Sequence, residues 1–258
     1  MPQLQRLAVT VTQICDRKID LTREQQHYLN RVLRLQAGDR FIAMDGRGHW
    51  WLAVLEAQET GLFASIAEEI AVNRELPVEV TLMAALPKGN GFDEVVRQVT
   101  ELGVASIVPV TSDRTLLKPS DQKVERWRRI AAEAAEQSER QFVPTILEPI
   151  SFDFAVKDCG QKYRYICVAR GDNRHLWDCL LGNLKPPFVG AVPPCPPPAE
   201  EELSIVIAVG PEGGWTEGEV KRAIEFGFEA VSLGSRILRA VTAPIVALSL
   251  VGAAFEKC

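Results

Sequence analysis

A chain of 258 residues with 47% hydrophobic and 24% charged side chains is long enough to fill one large core or two smaller ones. Its net charge of −5 excludes a protein that coats nucleic acid over its whole surface, and the even spread of charge excludes a disordered or fibrous chain. A local basic patch stays open, because residues 1–50 carry eight basic and five acidic side chains, a balance of +3 against −8 for the remainder.

The first 76 residues read as short β-rich runs at 7–14, 40–44, 50–55 and 61–66, with a hairpin turn signal at Asp45-Gly46-Arg47-Gly48. One helix is expected over 22–35, with Thr22 as N-cap and Tyr28, Val32 and Leu35 on one face. Together they predict a small β-barrel-like domain. From residue 77 strands alternate with helices: strand 78–84, helix 93–102, strand 106–110 and helix 123–137, the last marked by Val124, Trp127, Ile130, Ala134 and Ser138. Strands at 164–169, 203–209 and 230–233 and a helix at 243–255 follow, and this alternation predicts an α/β domain with a parallel sheet over 77–258. The proline-rich stretch 183–202 suits a surface loop better than a polyproline ligand, since it packs neither as helix nor as central strand.

Six scattered cysteines without C-x-x-C spacing indicate reduced thiols, no disulfide framework and no metal site. The N-terminus lacks signal-peptide features, so a cytoplasmic location is expected. The three histidines combine with no activated serine or cysteine into a hydrolase triad.

The strongest local signal is an apolar run, Ile205 to Val209, that leads into Gly210-Pro211-Glu212-Gly213-Gly214-Trp215 and a helix capped by Thr216 and Glu219. Glycines at the carboxyl end of a strand let backbone approach a ligand, but the same residues also suit a plain tight turn, and spacing alone does not choose. A second loop, Leu233 to Arg239, follows another strand, with Thr242 a candidate cap and Pro244 near the start of the next helix. Neither loop has dinucleotide-fold or P-loop spacing, and Lys88-Gly89-Asn90-Gly91 reads as an ordinary connection.

Quoted together, these segments resemble the 16S ribosomal RNA uridine-N3 methyltransferases, the RsmE family of the SPOUT class. The pieces stand in the family's order: His27-Tyr28-Leu29, Val32-Leu33-Arg34 and Gly38-Asp39; Lys88-Gly89 with Asp93; Thr100-Glu101-Leu102-Gly103; Ile130-Ala131 with Glu133 to Ser138; Gly210 to Gly214; and Leu233-Gly234 with Ile237-Leu238-Arg239. The resemblance implies a PUA-like RNA-binding β-barrel over 1–76, a SPOUT domain with a deep trefoil knot over 77–258, a homodimer, and S-adenosylmethionine as cofactor. It assigns cofactor contacts to Gly210, Pro211, Glu212, Gly213, Leu233, Gly234, Ile237 and Leu238, and a catalytic role to Arg239. The expected 16S rRNA contacts are Arg6, Arg31 and Arg34 in the basic first fifty residues, and Lys88, Arg114, Lys118 and Arg140 at or beside family positions.

Two departures stand out. The family's Arg-Thr-Glu-Thr-Ala reads Arg239-Ala240-Val241-Thr242-Ala243, and Glu139 replaces the glycine usual after Gln-Ser. The missing acid bears on the positioning of Arg239 and keeps a noncatalytic RNA-binding homologue as an alternative, beside a knotted enzyme with another target such as tRNA.

Overall fold

The computed structural model describes residues 4–58, 61–72, 74–87, 89–115, 119–183 and 203–256. The chain divides into two units, Met1–Glu75 with Ala132–Val143, and Leu76–Ala131 with Pro144–Cys258. No helix among the described residues is long and apolar enough to cross a membrane.

In the first unit β1 (Arg6–Ala8), β2 (Ile14–Cys15), β3 (Lys18–Ile19), β4 (Arg40–Met44), β5 (Trp50–Gln58) and β6 (Gly61–Ile70) form one sheet in the order β1-β4-β5-β6-β3-β2. Only the β1–β4 pairing is parallel. The run expected over 7–14 is broken by a capping box between Thr10 and Gln13, which closes a 3₁₀ turn at Val11–Gln13. β3 escaped the sequence reading for a backbone reason. Asp16 and Arg17 both take positive φ, 47° and 63°, as a two-residue hairpin turn requires, yet Asp-Arg lacks the usual Asn-Gly signature. The Arg17 guanidinium donates to the carbonyls of Ile66 and Ala67 and holds the turn in place.

The expected helix at 22–35 is α1 (Arg23–His27), capped by Thr22 as foreseen, and then a π-helical turn at Tyr28–Val32. The wider turn shifts the buried face to Leu29, and Val32 is 60% exposed rather than core-facing. Asp45 receives the N–H groups of Arg47 and His49 and shapes the β4–β5 turn. Phe41, Ala53, Leu55 and Ala64 fill the core under this sheet.

The second unit is a seven-stranded parallel sheet built from β7 (Glu79–Ala85), β8 (Ser106–Thr111), β9 (Thr145–Ile146), β10 (Ile150–Ser151), β11 (Tyr163–Cys167), β12 (Ser204–Val209) and β13 (Glu229–Val231). The order is β10-β8-β7-β12-β11-β13, with β9 beside β8. Its helices are α2 (Gly91–Glu101), α3 (Asp121–Gln137, whose residues from Ala132 on belong to the first unit), α4 (Phe152–Lys157), α5 (Leu176–Asn183), α6 (Glu217–Glu225) and α7 (Thr242–Phe255). The fold class is α/β, as the alternation of elements predicts.

In α2, Phe92, Val95, Val96 and Val99 turn one face into the core, and Asp93 accepts from Trp127 Nε1 on α3 at 3.0 Å. Val124, Trp127, Ile130 and Ala134 are buried in register with the spacing read from the sequence, whereas Ser138 lies past the end of α3, half-buried, its hydroxyl donating to the Ala134 carbonyl. α7 starts one residue earlier than expected, so Thr242 is its first helical residue and Val241 stands at the N-cap, without a side-chain cap bond. From residue 184 on, the proline-rich stretch lies outside the described residues, as do Lys88 and Lys118.

Candidate functional site

β12 is apolar because it lies inside the sheet, paired on both sides with β7 and β11. Its carboxyl end runs into Gly210, where an added β-carbon would meet the Trp215 ring and backbone at 3.2–3.3 Å. Trp215 stacks on Phe152 at 4.2 Å between ring centroids, so it has little room to yield. Gly214 donates to the Pro211 carbonyl at 2.8 Å and takes φ 67°, closing the turn. The capping box of Thr216 and Glu219 then starts α6.

The second loop leaves β13 at Ser232, whose hydroxyl oxygen accepts the Gly234 N–H at 3.1 Å. Gly234 has φ 113°, and an added β-carbon there would meet nothing within 4 Å. Both loops face a cavity of about 800 Å³ at the carboxyl ends of parallel strands. Gly210, Pro211, Glu212, Gly213, Leu233, Gly234, Ile237 and Leu238 all line it. Ile237 is 67% exposed, an apolar side chain left uncovered by its own chain. Apolar walls beside backbone donors and acceptors suit a flat heterocycle carrying polar edges.

A family model described as an RNA methyltransferase domain matches residues 74–252, and one described as an RNA methyltransferase PUA domain matches residues 21–66. The ribosomal RNA small subunit methyltransferase E of Synechocystis sp. is 47% identical over 98% of this chain and 78% of its own length. The chain belongs to the ribosomal RNA small subunit methyltransferase E family. The Bacillus subtilis member is 32% identical over 90% of this chain and 88% of its own. A crystal structure of the Neisseria gonorrhoeae member bound to S-adenosyl methionine superposes with a TM-score of 0.81 at 30% identity, covering 98% of both chains.

Against this family frame, the structure sorts the expected RNA contacts. Arg114 lines the cavity, with its Nη1 donating to the Gly213 carbonyl. Arg31 and Arg34 are exposed and make no ion pair among the described residues. Arg6 and Arg140 are held by carboxylates of the first unit. Arg6 pairs with Glu139 at 2.8 Å and lies over the Trp50 ring, and Arg140, 5% exposed in its side chain, pairs with Glu75 at 2.5 Å. Both guanidinium groups are thus engaged within the first unit, unlike those of Arg31 and Arg34. Glu139, in the usual glycine's place, keeps a left-handed φ of 59° and accepts from Arg6 and Arg74. Arg239 is exposed beside Leu238, outside the cavity lining, and makes no ion pair among the described residues.

The sequence reading missed the third wall, Cys167 to Arg170 at the end of β11, and also Lys221; Trp215, quoted with the first loop, was given no role in the site. The signal was present, because β11 also ends near a glycine, Gly171 with φ 104°. What could not be read is that β11 lies next to β12. Burial pushes the Cys167 thiol up to about 12, and the residue stands half-buried in the cavity wall.

Proposed function

We propose that this chain transfers a methyl group from S-adenosylmethionine to N3 of a uridine in 16S rRNA, within the small ribosomal subunit in the cytoplasm. The observation that carries this reading is the cavity formed where both glycine loops and the end of β11 converge. Its residues fit the cofactor: Gly210 lets the loop pack tightly on Trp215, which an added β-carbon would press, and Gly234 leaves open space where a β-carbon would stand. The backbone of Gly210 to Gly213 would hold polar edges, with Leu233, Ile237 and Leu238 against the adenine. When bound, S-adenosylmethionine supplies a sulfonium methyl group open to in-line attack.

The protein's part is chiefly alignment. Arg239 stays protonated, so it acts as a cation beside the uracil and stabilises the charge that grows as the N3 proton departs. Arg31, Arg34 and Arg114 contact the RNA. α7 is apolar on every side and leaves Ile245, Leu250 and Phe255 half-buried, which supports a second copy packing there. The deep trefoil knot of the SPOUT class completes the reading.

Calorimetric titration with S-adenosylmethionine, followed by tritiated methyl transfer to small subunits and mapping of the modified base, tests it. Arg239→Ala is expected to lower turnover by about 100-fold, as removal of a charge stabiliser does, while cofactor affinity holds. Retained rRNA binding without cofactor binding would replace this reading with a noncatalytic RNA-binding one.

A further inference from the structure

Glu219 is 1% exposed and forms no ion pair among the described residues. Its Oε2 accepts the Thr216 N–H at 2.7 Å, which is the capping box. Its Oε1 accepts the Asp113 N–H at 2.9 Å, from a residue 106 positions away in the loop after β8. Capping alone explains only the first bond, and a glutamine would serve it as well. An amide oxygen could accept either bond alone, so it is the two bonds together, on separate oxygens, that call for a carboxylate despite its desolvation cost.

The next residue after Asp113 is Arg114, at the cavity edge. Its Cδ lies 3.1 Å from where a β-carbon on Gly213 would stand, and its Nη1 donates to the Gly213 carbonyl. Thr216 Oγ1 also reaches the Asp113 carboxylate at 3.2 Å, and Arg222 bridges Asp113 to Asp153 at the start of α4. The loop after β8 and the first glycine loop are therefore fastened to one carboxylate at the first turn of α6.

We propose that Glu219 is a positioning residue that fixes Arg114 against the first glycine loop and so sets the alignment of RNA at the cavity. The inference rests on the methyltransferase reading above for its kinetic arm only. In Glu219→Gln a single acceptor oxygen remains; the cap position, within reach of both the Thr216 N–H and its hydroxyl, holds it, so the amide nitrogen faces the Asp113 N–H and that link is lost.

The test combines amide hydrogen exchange at Asp113 with a double-mutant cycle. In Glu219→Gln, Asp113 exchange is expected to speed up by at least about tenfold, and methyl transfer to small subunits to fall about tenfold in kcat/KM. Arg114→Ala is expected to lose a similar factor, and the double variant no more than either alone. Thr216→Val removes the cap hydroxyl and its contact with the Asp113 carboxylate but leaves the Glu219 bond to the Asp113 N–H, so it should lower Tm with a smaller loss of turnover. Multiplicative losses in the double variant, or unchanged Asp113 exchange in Glu219→Gln, would overturn the proposal. If the unmodified protein transfers no methyl group, the methyltransferase reading fails, and Asp113 exchange still decides whether Glu219 holds the loop.

Discussion

The Cγ1 methyl of Val241 lies 2.8 Å from the point that a β-carbon on Gly91 would occupy. Val241 stands where the family usually carries an acid two residues after the arginine, and here it is packed on the first residue of α2. Gly91→Ala would overfill this contact, and the expected cost is about 1–3 kcal/mol by urea unfolding. Val241→Ala in the same chain should return most of that loss. Equal stability of Gly91→Ala and the unmodified protein would show that the neighbours shift freely.

Among the described residues Arg140 and Glu75 form the most enclosed ion pair of the first unit, and Glu75 also accepts the N–H groups of Gln141 and Phe142. Removing Arg140 strands a carboxylate that is 20% exposed. Arg140→Ala is expected to destabilise the protein by about 3 kcal/mol, seen as an earlier urea midpoint. With Arg140 engaged by Glu75, the salt dependence of rRNA binding is expected to keep its slope, whereas loss of about one unit of slope would make Arg140 a phosphate contact.

Gly234→Val tests the second loop. A branched residue at φ 113° is strained by about 1–3 kcal/mol, and its side chain would project into space that no protein atom fills. Cofactor binding should vanish from calorimetric titration while the protein still unfolds cooperatively. An unchanged Kd would move the binding site elsewhere.

His49 lies 2.9 Å from Glu69 and stacks on Trp51. The hydrogen bond to Glu69, helped by the charge of Asp45, raises its pKa above 6.5 against a small desolvation. Because the folded value is the higher one, the contribution to stability is complete below the unfolded pKa and disappears as pH rises through the folded pKa. An NMR titration should show the raised value, and Glu69→Gln should bring it back toward 6.5. A His49 pKa that ignores Glu69→Gln would assign the shift to other groups.

What could be read from the sequence was what neighbouring residues decide among themselves. The burial face of α3, the cap at Thr216, the β4–β5 turn at Asp45 and the two glycine loops each depend on residues a few positions apart, where periodicity and turn chemistry act. The hairpin at Asp16 and Arg17 is also local, but its positive φ values are carried by residues that seldom advertise them. Partner choice was different. β12 is inserted between β7 and β11, and only that order brings Cys167 to Arg170 into the cavity with Gly210 and Gly234. Likewise Arg6, Arg140 and Glu219 are, in sequence, ordinary charged residues. Their roles follow from Glu139, Glu75 and Asp113, because burial and pairing are set by which distant groups the fold delivers.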